Sequence, residues 1–158
     1  MTFQSYFDPV DDLPTFGEKI AGQWYEPRPG SYALIFNEAG LVALMQTDRG
    51  FYLPGGGAEP GETPAEALQR ELYEESGYGI AVGKQIGLAV DYIFAQNEGK
   101  YYEIQSVFLR ASLGERLKAS GEQEHNLVWC QVLEAQTLLR RPSQKWALQK
   151  ISGRQTLG

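Results

Sequence analysis

Four glutamates and one arginine, set at regular intervals, hold most of the chemistry this sequence can offer. Glu62 stands eight residues before Arg70, Glu71 follows directly, and Glu74-Glu75 come after Leu72 and Tyr73. On a helix, positions three and four apart are neighbours, so Glu71 converges with both Glu74 and Glu75. Like charges so placed destabilise an isolated helix by about 0.2–0.5 kcal/mol per pair, so something should compensate. Arg70 can pair with Glu74 at the same spacing, but one arginine cannot neutralise three acids. A bound divalent cation can, and hard oxygen donors select magnesium, manganese or calcium.

The glycines just before these acids have a complementary use. Gly55-Gly56-Gly57 lets the backbone approach a ligand closely or adopt conformations closed to other residues. Its carbonyl oxygens could then join a cation's shell. This is not a phosphate-cradling P-loop, because no Gly-Lys-Ser/Thr follows and the segment holds no lysine. Taken singly, glutamate pairs are usually solvated helix faces and glycine triplets usually loops. Their combined spacing is what points to a site.

The elements that must position these residues can be read around them. Thr63 is a natural N-cap, Pro64 occupies the first helical position and Glu66 the third, which makes a capping box. Ala65, Leu68 and Leu72 recur at helical spacing as the buried stripe, and Gly77 ends the helix. Upstream, residues 18–26 read as a short strand stopped by Pro27-Arg28-Pro29-Gly30. Ser31–Asn37 and Leu41–Thr47 read as strands of a hairpin turning at Glu38-Ala39-Gly40, and Phe51-Tyr52-Leu53 as a third short run. Downstream, 80–95 and 100–111 are predicted as long strands joined by the turn Gln96-Asn97-Glu98-Gly99. A polar connection over Gly114–Asn126, a strand over Leu127–Val132 and helices over 133–140 and 143–151 complete the pattern. Strands and helices interleave, so the expected class is α/β (α+β), a mixed β-sheet sandwiched between helices. Residues 1–17 form an N-terminal arm, either loose or strapped down by Phe3, Tyr6 and Phe7, and 18–158 a single domain.

Composition narrows the function classes. The chain has 158 residues, enough for one domain with a core of its own. The single cysteine, Cys130, excludes a disulfide framework and a cysteine-based zinc site, and reads as a buried strand residue. No apolar run reaches membrane-span length and no signal pattern opens the sequence, so the expectation is a cytoplasmic protein without membrane contact. A net charge of −6 argues against nucleic acid as partner. It does not argue against a small phosphate substrate, because a divalent cation can bridge protein carboxylates and phosphate oxygens.

The segment GGAEPGETPAEALQRELYEESGY resembles the Nudix box: Gly, five residues, Glu, seven residues, Arg-Glu, an aliphatic, any residue, Glu-Glu, any residue, Gly, an aliphatic. Gly56, Glu62, Arg70, Glu71, Glu74, Glu75 and Gly77 fill every fixed position and Leu72 the first aliphatic one. Tyr78 alone departs, aromatic where Val, Ile or Leu is usual; it bears on core shape more than on chemistry. The flanking elements fit a Nudix domain over about residues 18–151.

The resemblance implies a Mg²⁺-dependent enzyme, with Mn²⁺ as a possible substitute, that adds water across a phosphoanhydride of a nucleoside-diphosphate derivative. It makes Glu75 a principal metal ligand beside Glu74 and Glu71, with the Gly55 carbonyl as a further one and Arg70 and Glu62 as supports. The general base is either Glu71 or an acid of the late connection, where Glu124 ranks before Glu122 and would also reach the metal. His125 reads as a surface residue, and Trp129 and Trp146 as core. Of Tyr92, Phe94, Tyr101 and Tyr102, alternate ones should face the substrate. Arg28 and Arg49 are candidate phosphate contacts. The leading substrate is a nucleoside triphosphate, cleaved in the MutT manner to a monophosphate and pyrophosphate. Dinucleoside polyphosphates and nucleoside-diphosphate sugars are alternatives, although the ADP-ribose-type proline and the Ser-Gln-Pro-Trp-Pro-Phe array of NADH-cleaving members are both missing. A non-catalytic nucleotide-binding domain would usually have lost box glutamates, and here all are present. Either a monomer or a homodimer is expected.

Overall fold

The computed structural model describes residues 13–117 and 126–157. The strands are β1 (Thr15–Phe16), β2 (Glu26–Leu34), β3 (Val42–Thr47), β4 (Gly50–Tyr52), β5 (Gly55–Gly57), β6 (Tyr78–Ala95), β7 (Lys100–Arg116) and β8 (Asn126–Cys130). The helices are α1 (Pro64–Ser76), α2 (Val132–Leu138) and α3 (Pro142–Leu157). A five-stranded mixed sheet runs β1-β6-β7-β2-β5, and a three-stranded antiparallel sheet runs β4-β3-β8.

Side-chain alternation in the central strands builds two cores. Ala33 and Ile35 of β2 and Val107 and Leu109 of β7 pack with Leu68 and Leu72 of α1. Tyr32 and Leu34, with Phe108, face the other way onto Ala135, Leu139, Ala147 and Leu148 of the α2–α3 region. Helices therefore cover both faces, as the mixed-sheet sandwich expected from the sequence requires. Burying Leu68 and Leu72 stabilises the seating of α1 by about 1.5–3 kcal/mol each. Against expectation Ala65 is only half-buried, and Ala67 takes its place in the stripe.

Several expected boundaries move, for identifiable reasons. Residues 18–26 do not form a strand; β2 starts at Glu26 and runs straight through Pro27 and Pro29. Odd-numbered residues of β2 turn their polar groups toward β5: the Pro29 and Ser31 positions face it, and the Pro29 carbonyl accepts from Ala58 N–H at 2.8 Å. The missing proline N–H groups thus fall on the side away from β7, and the parallel β2–β7 ladder is unharmed. The expected hairpin at Glu38-Ala39-Gly40 closes locally, with Asn37 Oδ1 accepting from Ala39 and Leu41 N–H. Its two arms then diverge into separate sheets. β7 continues to Arg116, into what reads as connection, because it keeps pairing with β6 to Tyr78 across register shifts.

Trp129 is a correction: 37% exposed, it lies on the outer side of β8 while the adjacent Cys130 is buried. Burial raises the Cys130 thiol pKa. Trp146 does pack on the core, and Gly87 makes this possible, since a Cβ there would come within 2.7 Å of the indole. At the start of the sheet, Pro14 O accepts from Val90 N–H and Thr15–Phe16 pair in parallel with β6. Phe3, Tyr6 and Phe7 lie outside the described residues, as do Glu122, Glu124 and His125.

Candidate active site

Helix α1 begins and ends as its sequence dictates. Thr63 Oγ1 accepts from Glu66 N–H at 3.2 Å, and Glu66 returns the bond to Thr63 N–H at 2.9 Å. Gly77 closes the helix at φ 80°, with its N–H on the Tyr73 carbonyl. Between these caps the acidic residues point to one side, and Arg70 collects them. Its Nε and one terminal nitrogen grip both oxygens of Glu62 at 2.7 and 2.9 Å. The other terminal nitrogen reaches Glu71 at 2.9 Å and Glu74 at 3.2 Å, and a further bond goes to the Gly57 carbonyl at 2.8 Å. The bond to Glu62, more than any other contact, raises the guanidinium pKa far above its ordinary range, and Arg70 in turn lowers that of Glu62.

The glycines form a strand, not a loop, and their backbone is the other wall of the site. In the antiparallel β2–β5 pair, Ser31 faces Gly56 on the bonding register, so the polar groups of Gly55 and Gly57 turn outward toward α1. Gly55 N–H donates to Glu75 Oε1 at 3.1 Å, and Gly57 O accepts from Arg70. Gly55 has φ 141°, and a Cβ there would lie 2.1 Å from the Ser31 carbonyl. A Cβ on Gly56 would lie 2.6 Å from the Glu71 carboxyl group. These positions must be glycine for the helix carboxylates to lie against the strand.

Glu75 is 8% exposed and is the one box carboxylate that lines a cleft beside the glycine strand. That cleft, about 430 Å³, is bounded also by Gly55, Gly56, Tyr32, Tyr52, Asp48, Arg49 and Arg141. A second cleft of about 600 Å³ shares Arg49, Tyr52 and Arg141 with it and adds Arg28, Arg140, Tyr102 and Ile104. Among the described residues no three acids, histidines or cysteines are grouped to hold a metal ion. Arg70 draws Glu71 and Glu74 to itself, while Glu75 turns to Gly55. The donor chemistry nonetheless suits a hard divalent cation, since it is carboxylate oxygen beside an outward-turned strand edge.

The sequence singled out Arg28 and Arg49, and both reach the clefts. It missed Arg140 and Arg141, which sit between α2 and α3 and enter the site only through tertiary folding. Asp91 of β6, 1% exposed, accepts from Ser143 N–H at 3.2 Å and so fixes the start of α3 just after these arginines. Burial raises the Asp91 carboxyl pKa, against the opposing pull of Ser143 and Arg141. The tyrosines divide by strand face. Tyr92, Tyr101 and Phe94 cluster with Tyr25, the rings of Tyr25 and Tyr92 lying 5.2 Å apart, and the second cleft is lined by Tyr102 and by Phe94. Tyr78 is half-buried with Arg116 over its ring at 5.9 Å.

Comparison with protein families matches residues 26–150 to the NUDIX domain. The chain belongs to the Nudix family. A Bacillus subtilis (strain 168) protein, named as a candidate 8-oxo-dGTP diphosphatase, is 30% identical over 102 residues, covering 63% of this chain and 64% of that protein. The nucleoside triphosphatase NudI of Enterobacter sp. (strain 638) is 52% identical over 51 residues, covering 29% of this chain and 36% of its own length. The Nudix chain thus spans from about a third to just under two thirds of these curated relatives. The crystal structure of the MutT protein from Methanosarcina mazei Go1 superposes with a TM-score of 0.66 at 20% identity, covering 85% of this chain and 99% of that one, which establishes the shared fold. Nudix hydrolases generally use divalent metal ions. No helix among the described residues is long and apolar enough to cross a membrane.

Proposed function

We propose that this Nudix chain is a Mg²⁺-dependent hydrolase that cleaves the pyrophosphate bond of a nucleoside-diphosphate derivative, with a nucleoside triphosphate as substrate. The observation that carries the reading is Glu75: a buried carboxylate, held by Gly55 N–H, that opens into a cleft also lined by Arg49 and Arg141. Acid on one wall and guanidinium on the other suit a diphosphate bound through a cation on one side and directly on the other.

Glu75, Glu74, Glu71 and the Gly55 carbonyl would hold the cation, with Glu124 as a further ligand. When bound, the cation neutralises phosphate charge and makes a coordinated water acidic enough to attack at neutral pH. The protein's own part is positioning. Arg70 and Glu62 hold Glu71 and Glu74 on one side of α1, and the glycine strand sets how near the carboxylates stand to the cleft. Arg49 and Arg141 bind phosphate oxygens. Glu71 and Glu124 are the two candidates for taking the proton of the attacking water. The names of the Bacillus and Enterobacter relatives favour a triphosphate over a nucleoside-diphosphate sugar or dinucleoside polyphosphate.

The test is hydrolysis of nucleoside triphosphates with Mg²⁺ and product identification, in wild type and Glu75→Gln. Wild type should release a monophosphate and pyrophosphate, lose activity in chelator and regain it with Mg²⁺. Glu75→Gln should be slower by about a hundredfold or more with its melting temperature kept. Metal-independent turnover, or near-normal activity of the variant, rejects the assignment.

A further inference from the structure

The second cleft has a composition at odds with the rest of the molecule. The chain carries a net charge of −6, yet Arg28, Arg49, Arg140 and Arg141 all line this one concavity. Arg28, Arg49 and Arg140 are exposed and Arg141 half-buried. Among the described residues none of the four forms a salt bridge with a carboxylate. Glu98 is the acid that lines the cleft with them, and it is engaged with the Tyr102 hydroxyl, whose pKa that hydrogen bond raises. Four like charges brought together with Glu98 as the one acid lining the cleft among the described residues repel one another, so the arrangement suits an anion supplied from outside.

Phe94, 48% exposed, is the open aromatic ring that lines this cleft, whereas the tyrosines around it lie against guanidiniums. The Arg28 guanidinium lies 4.2 Å from the Tyr102 ring centroid, and Tyr102 is 3% exposed. Arg141 lies 5.5 Å from the ring of Tyr52 and 5.9 Å from that of Tyr32, and donates to the Tyr32 hydroxyl at 3.2 Å. The rings serve as backing that holds the guanidiniums in place and leaves their edges to the cleft. Planar donors fixed in this way recognise phosphate oxygens in pairs. Arg49, Tyr52 and Arg141 also line the Glu75 cleft, so the two spaces adjoin.

We propose that the arginine-lined cleft is a second anion subsite, which takes a phosphate group that the substrate carries outside the diphosphate held beside Glu75. It rests on the hydrolase reading and narrows it: the substrate class is a polyphosphorylated nucleotide, and a nucleoside diphosphate capped by an uncharged sugar is disfavoured. Arg28 and Arg140 are then specificity-determining residues. They touch the distal phosphate and take no part in the bond cleavage near Glu75.

Two measurements separate this subsite from the hydrolase assignment. The first is calorimetric binding of inorganic tripolyphosphate to the full chain in chelator, where no turnover occurs. Wild type should bind, with affinity falling as salt rises, and the Arg28→Gln/Arg140→Gln double variant should bind at least tenfold more weakly; Arg28→Lys, which keeps the charge, should lose less. An unchanged dissociation constant in the double variant overturns the subsite, whatever the enzyme hydrolyses. The second compares substrates with Mg²⁺. The double variant should raise KM at least tenfold for a nucleoside triphosphate and leave kcat within about twofold. A nucleoside 5′-diphosphate bearing a 3′-phosphate shows whether a sugar phosphate or a chain phosphate fills the cleft. If KM rises equally for a nucleoside-diphosphate sugar, the arginines hold the cleaved diphosphate itself, and the proposal fails.

Discussion

Glu62 loses its proton more readily than an isolated glutamate because Arg70 grips both of its oxygens. A carboxylate whose folded pKa is depressed adds stability above its unfolded pKa, and that contribution disappears as pH falls through the folded value. Melting temperatures followed from roughly pH 6 down to 3 should therefore fall more steeply for wild type than for Glu62→Gln, the window being set by the ordinary glutamate pKa. Parallel curves would remove Glu62 from the clamp. The clamp was legible in the sequence, since Glu71 and Glu74 sit on one helical face with Arg70 and a capped helix fixes that face. That Arg70 would hold three acids together, and that Glu75 would turn alone to the cleft, was not legible, because it depends on where β5 lies. Arg140 and Arg141 were invisible for a similar reason: the partners of Arg141, Tyr32 and Tyr52, and that of Arg140, the Phe51 carbonyl, are far away in sequence and come near only when α3 docks on the sheet.

The glycine strand is the element on which the site depends most closely. A methyl group at Gly56 would meet the Glu71 carboxyl group, the flexible end of a side chain, at 2.6 Å. The same group at Gly55 would strike the Ser31 carbonyl at 2.1 Å in a backbone conformation that only glycine adopts readily. Gly56→Ala should consequently displace Glu71 and lower turnover by about a hundredfold. Its stability cost should stay near 1 kcal/mol, as read by denaturant unfolding. Gly55→Ala should destabilise the fold itself. Equal stability losses in the two variants would contradict this division. The sequence marked these glycines as special but read them as loop, since three residues without side chains carry no alternation from which to read a strand.

Fold class followed from patterns along the chain, namely a capped helix, two long alternating strands and apolar runs of strand length, and the family from the resemblance of Gly56–Tyr78 to the Nudix box. What escaped were places where tertiary pairing overrides a local stop signal, and Pro27 and Pro29 are the clearest of them. β5 covers β2 only at Gly30, Ser31 and Tyr32, so the stretch around Pro27 has β7 on one side and no strand partner on the other among the described residues. A bare strand edge invites a second molecule to add its own strand, the first step of many aggregates. On that uncovered stretch the residue that would offer an N–H is Pro27, so an incoming strand finds no donor there, while the Pro29 carbonyl is already taken by Ala58 N–H. Pro27, which breaks the sequence pattern, therefore withholds the donor that a second strand would need along that edge. Replacing Pro27 with threonine should leave the β2–β7 ladder in place and increase light scattering at high protein concentration; a variant that stays as dispersed as wild type would show that the edge is protected by other means.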